Sequence, residues 1–128
     1  MIIKDNLQAK GRVESLSFRR ISHAGIGAGK DGQSTSGETI INIEEFGFSK
    51  ISFNTGGHGW YGSRASATLY GSKDGGATFP NILFHITDGN VTGKEIDISE
   101  YNCLKFNTNY TAGSYSSGAS FENVILSV

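Results

Sequence analysis

Apolar and polar residues alternate in short runs along this chain, and each run stops at Gly, Asp, Asn or Pro. The alternation is clearest over residues 66–106, where SATLYGSKDGGATF leads through NILFHITDG to GKEIDISEYNCLKF. A period of two marks a strand with one face buried. In the first run Thr68, Tyr70 and Ser72 fall on one face, with Ala67, Leu69 and Gly71 on the other. Asp74-Gly75-Gly76 and Asp88-Gly89 are turn chemistry, because Gly accepts φ > 0 and Asp can bond its own backbone. Ile96 and Ile98 point to one side of a later run.

The same pattern predicts strands elsewhere. RVESLSFRRISH (12–23) sets Leu16 and Phe18 against Ser15, Ser17 and Arg19, and KISFN (50–54) turns Ile51 and Phe53 inward. A strand is expected within 38–48, breaking at Gly47, and others at 66–72, 81–87, 94–98 and 103–108. The last, ASFENVILSV, runs to residue 128. Three stretches are too polar and Gly-rich for a core and read as exposed loops: 25–37, 55–64 and 108–118. The best helical candidate, 5–16, is interrupted by Gly11 and has weak periodicity. Eight or nine short strands with long loops predict an all-β fold, a two-sheet antiparallel β-sandwich of jelly-roll topology. The chain is read as one domain over 1–128, with residues 1–24 either a strand of it or an arm that docks on a neighbour.

Composition refines this picture. Eighteen glycines among 128 residues exceed the usual ~7 %, yet with a single Pro they read as turns and bulges. Eight Phe, five Tyr and one Trp supply bulk for a β core. Eleven basic and twelve acidic side chains leave a formal charge of −1, which disfavours a nucleic-acid partner. No apolar run approaches the ~18 residues of a membrane helix, and the N-terminus has no export pattern. Cys103 has no second Cys to bond with and is expected as a small buried apolar residue.

Several chemistries fail on their own terms. Gly27-x-Gly29-x-x-Gly32 has the spacing of a dinucleotide fingerprint without the strand, helix and acidic residue that make one. His23, His58 and His85 lack metal spacing, and no metal or cofactor is expected. Asp97 and Glu100 have no partner carboxylate across a cleft, no G-x-S-x-G elbow exists, and no enzyme is expected. The sharpest local signal is His58-Gly59-Trp60-Tyr61-Gly62-Ser63-Arg64. There an aromatic platform suits the apolar face of a sugar ring, while His58 and Arg64 can donate to hydroxyls. Trp60 could equally plug one end of a sandwich or sit in a subunit contact. Tyr110 and Tyr115, among Ser, Thr and Gly, have the composition of adaptable recognition loops or of a solvated loop with one Tyr folded back.

The order KISFN, ATLYGSKDGGATF, ILF, GKEIDISEYNCLKF and GASFENVILSV resembles the galactose-binding-like (discoidin-type) β-sandwich over residues 50–128. Ser72-Lys73-Asp74-Gly75 matches its turn, and residues 96–106, IDISEYNCLKF, match its following segment. The resemblance implies a non-catalytic module that binds carbohydrate through end loops, as domains of this type do on bacteriophage appendages. Asp31, Asp88 or Glu122 could supply oxygens to the structural calcium some members hold, although no dense carboxylate loop is present. The expected ligand residues are His58, Trp60, Tyr61, Arg64, Tyr110 and Tyr115. The expected setting is a virion, reached from the bacterial cytoplasm without a signal peptide, and a homo-oligomer. The alternative is a structural virion protein, a capsid decoration, head-fibre or tail component, whose same loops contact other proteins.

Overall fold

The computed structural model describes residues 13–22, 32–57, 64–111 and 118–128. Eight strands form there and no helix: β1 (Ser15–Ile21), β2 (Ser34–Asn42), β3 (Lys50–Gly57), β4 (Arg64–Ser72), β5 (Asn81–Thr87), β6 (Lys94–Asp97), β7 (Cys103–Thr111) and β8 (Ala119–Ser127). They build two four-stranded sheets, β1-β8-β3-β6 and β2-β7-β4-β5, and every neighbouring pair is antiparallel. Successive strands cross from one sheet to the other, apart from the β4–β5 hairpin. This is the eight-stranded jelly roll.

The period-two pattern sorts the side chains as expected. Ile51, Phe53, Ala67, Leu69, Ile98, Leu104, Phe106, Phe121, Val124 and Leu126 are buried in one core, with Leu16, Phe18 and Ile96 packed against it. Four rings tie the sheets together. Phe84 and Phe106 come from one sheet, Phe53 and Phe121 from the other. Phe53 meets Phe84 at 5.1 Å and Phe121 at 5.4 Å, and Phe121 meets Phe106 at 5.1 Å, all edge to face. Burying each such ring contributes roughly 1.5–3 kcal/mol, and edge-to-face pairing suits the ring quadrupoles.

The Ser72–Gly75 turn is locked by its own side chains. Asp74 accepts from Ser72 Oγ at 2.5 Å and from the Thr78 amide at 2.9 Å. The Gly75 amide donates to Asn102 Oδ1 at 2.9 Å, which ties this turn to the start of β7. Gly71 lets the corner close, because a Cβ there would lie 2.6 Å from the Tyr101 ring. Cys103 is buried, and burial pushes its thiol above the ordinary range.

Several expected boundaries move. Residues 34–37, expected as loop, are the first part of β2, and the strand expected within 38–48 ends at Asn42, with Gly47 in the turn that follows. Residues 55–57 extend β3, and 108–111 extend β7. Polar and Gly-rich residues belong to these strand ends because the ladder is made by backbone groups, which pair wherever a neighbouring strand lies in register.

Candidate functional site

The ends of four connections gather at one end of the sandwich. Gly57, which closes β3, pairs with Ala119 at the opening of β8. Arg64, which opens β4, pairs with Thr111 at the close of β7, and Ser34 pairs with the same Thr111 from β2. Segments 58–63 and 112–117 therefore start and finish on adjacent strands. His58, Trp60, Tyr61 and Tyr115 lie in these two segments, outside the described residues. Residues 1–12 and 23–31, with Gly27, Gly29 and His23, also lie outside them.

The β5–β6 connection braces this end. Asp88, held at a φ of 54° that Asp tolerates better than most residues, accepts the Ala65 amide at 2.8 Å, and its other oxygen takes Arg64 Nη1. Its own amide donates to the Ala65 carbonyl at 2.7 Å. Two residues on, Asn90 Oδ1 accepts the Gly57 amide at 2.8 Å. One connection thus holds the strand ends on both sides of 58–63. Thr55 and Val91 add a reciprocal pair: the Thr55 amide donates to the Val91 carbonyl at 2.9 Å, and the Val91 amide donates to Thr55 Oγ1 at 3.1 Å. Partial burial pushes the Asp88 carboxyl up, but the Ala65 amide and the Arg64 guanidinium outweigh it and hold it below the usual range.

Beside this brace lies an open concavity of about 230 Å³ lined by Arg64, Ala65, Ser66, Thr87, Asn109, Tyr110 and Thr111. Ser66, Thr87 and Asn109 fall in one register row on the outer face of the β2-β7-β4-β5 sheet. The next row continues the polar surface. Asn109 Nδ2 donates to Asn107 Oδ1 at 2.8 Å. His85, exposed, lies with its Nδ1 2.8 Å from Thr68 Oγ1 and its Nε2 3.0 Å from Thr87 Oγ1. The concavity presents amide, hydroxyl and guanidinium groups together, a set able to exchange hydrogen bonds with a polyhydroxylated ligand.

Of the expected ligand residues, Arg64 is at this site, with its side chain 71 % exposed and its guanidinium anchored on Asp88. Tyr110 requires correction. It stands in β7 and not in a loop, is 2 % exposed, and turns inward, where its hydroxyl donates to the Ala119 carbonyl at 2.7 Å. Even-numbered residues of β7 face the core, and extending the strand through Tyr110 carries that face with it. Asn109, Ser66 and Thr87 were missed, because isolated polar residues on a strand carry no motif. Of the oxygens considered for calcium, Asp88 is taken by Arg64 and the Ala65 amide, Glu122 lies 3.9 Å from Arg20, and Asp31 is outside the described residues. Among the described residues no group of three or more His, Cys, Asp or Glu is placed to hold a metal ion.

No protein-family model matches the chain, and no curated protein matches it. Solved structures do. The K1 cleaved adhesin domain of Lys-gingipain from Porphyromonas gingivalis W83 aligns over 91 % of this chain and 99 % of its own, with a TM-score of 0.52 and 13 % identity. A family 11 carbohydrate-binding module from Clostridium thermocellum aligns over 91 % and 90 %, with a TM-score of 0.39 and 11 % identity. The infectious bursal disease virus VP2 subviral particle aligns over 88 % and 32 %, with a TM-score of 0.43 and 14 % identity. The likeness to the adhesin domain is one of fold, and it agrees with the two-sheet antiparallel β-sandwich of jelly-roll topology described above.

Proposed function

We propose that this chain is a non-catalytic module that recognises carbohydrate at the braced end of the sandwich. The observation that carries the reading is the meeting of the strand ends that flank 58–63 and 112–117, at Gly57, Arg64, Thr111 and Ala119, beside one polar concavity. Loops on a rigid sheet scaffold are where recognition concentrates. Asn109, Ser66 and Thr87 are the hydrogen-bonding floor, and Arg64, fixed by Asp88, is a charged anchor. Trp60, Tyr61 and Tyr115 are the stacking groups and His58 a polar one, all supplied by the two segments that leave this end. The setting consistent with a chain of this kind is a bacteriophage virion, and the ligand a host-surface glycan.

The test is titration with host cell-wall polysaccharide and a glycan array. Trp60→Ala and Asn109→Ala should each abolish binding while the thermal midpoint stays within a few degrees of the parent. Binding that survives both changes overturns the reading.

A second reading, a structural virion protein, is favoured by one observation. Ile40 and Ile82 are 55 % and 63 % exposed and fall in one row across the outer face, with Lys105 and Tyr70 between them. Exposed apolar groups in a row suit a protein contact. Under this reading Ile82→Lys would impair incorporation into particles and leave sugar binding untouched.

A further inference from the structure

A sheet edge invites pairing with another chain unless something blunts it. Among the described residues, three of the four sheet edges are blunted. β6 is four residues long and carries Lys94, Glu95 and Asp97. β5 follows Pro80 and carries an extra residue near Leu83, where its register against β4 shifts. β1 presents Arg19 and Arg20, both exposed. β2 carries one charge, Glu38, and none of the other devices. It runs nine residues in unbroken register with β7, with no Pro, no bulge and no Lys or Arg. Among the described residues no strand pairs with its outer side. Thr39 points toward the inner face, opposite Phe106, yet is exposed, so β2 overhangs the opposing sheet. Ile40 is 55 % exposed beside it.

We propose that the occupant of this edge is the β2 edge of a second copy of the chain, paired antiparallel about a two-fold axis at Ile40. A two-fold axis sets each residue against one whose number sums to a constant, and the side-chain pattern selects among registers. An axis at Glu38 would place two like charges directly opposite, which is unfavourable. An axis at Ile40 sets Ile40 against Ile40 of the second copy and Glu38 against its Asn42, an amide able to donate to the carboxylate. It covers exposed apolar surface and joins two four-stranded sheets into one of eight strands. The contact is isologous and closes as a dimer.

This interface does not rest on the carbohydrate reading. Ile40 lies opposite Lys105, whereas the concavity lies at Asn109–Thr111. Antiparallel copies would turn their two concavities to opposite ends of the joined sheet.

Sedimentation of the full chain over a concentration series should show a monomer–dimer equilibrium. Ile40→Lys, at an exposed position, should abolish the dimer while keeping the melting temperature the parent has at concentrations where it is monomeric, and Ile82→Lys should leave the dimer intact. Mild oxidation of Ile40→Cys should give a disulfide-linked dimer, and oxidation of Ile82→Cys should not. A monomer at every concentration overturns the proposal, whether or not the β2 amides resist hydrogen exchange. So does a dimer that survives Ile40→Lys, or one that Ile82→Lys dissolves.

Discussion

Tyr110 offers a direct test of the inward turn of β7. Its ring is 2 % exposed, beside Ala65 and Ala119, and its hydroxyl donates at 2.7 Å to the Ala119 carbonyl of the opposite sheet. In Tyr110→Phe the ring still fills its space, so no cavity opens. What is lost is one buried hydrogen bond, worth about 0.5–1.5 kcal/mol net, and more where the carbonyl is left without a partner, up to ~3 kcal/mol. We expect a loss of about 1–2 kcal/mol. With a urea dependence of about 2 kcal/mol per molar, the midpoint followed by far-ultraviolet circular dichroism should fall by roughly 0.5–1 M. Tyr110→Ala, which also empties the ring's space, should cost about 3–5 kcal/mol. Glycan affinity of Tyr110→Phe should equal that of the parent. An unchanged midpoint together with weakened binding would refute the reasoning, because the hydroxyl would then be serving a ligand and not the Ala119 carbonyl.

Three further outcomes follow from the same contacts. Gly71→Ala drives a Cβ to 2.6 Å from the Tyr101 ring and should destabilise by about 1–3 kcal/mol; adding Tyr101→Ala should recover part of that loss, and a strictly additive pair of thermal midpoints would count against the clash. Asp74 is held well below the ordinary carboxylate value of 3.8, first by the Ser72 hydroxyl and then by the Thr78 hydroxyl and amide. Its contribution to stability is complete above that ordinary value and disappears as pH falls through the lowered one. The melting-temperature gap between parent and Asp74→Asn should therefore shrink as pH drops from about 5 toward about 2, and a constant gap contradicts it. Asp88→Ala strips the Ala65 amide and Arg64 of their acceptor and should cost about 1.5–3 kcal/mol, whereas Arg64→Ala, at an exposed side chain, should cost under about 1 kcal/mol; equal losses in chemical denaturation would show that the ion pair, not the amide bond, holds this end.

Much of the fold was legible because a strand's face assignment is local. Alternation alone turned Ile51 and Phe53 inward and set Ala67 with Leu69, and Ile96 with Ile98, on common faces that the core takes up, and Ser72-Lys73-Asp74-Gly75 supplies its own turn bonds except those made with Thr78 and the Asn102 side chain. Strand ends were not local. Residues 34–37, 55–57 and 108–111 look like loop, yet they pair because Arg64, Thr111 and Ser34 reach one another across three strands. Side chains there say little, since backbone amides make the bonds and only a neighbour's presence decides whether they are made. The same holds for the candidate site. Asp88 meets Arg64 across 24 positions, and Asn90 meets Gly57 across 33. Tyr110 went inward for the same reason, its side determined by where β7 stops. The chain's own order of residues thus determined which faces are apolar and where it can turn; tertiary structure alone decided which strands are neighbours, how far each runs, and which polar groups share one end, because those depend on contacts between residues far apart in sequence.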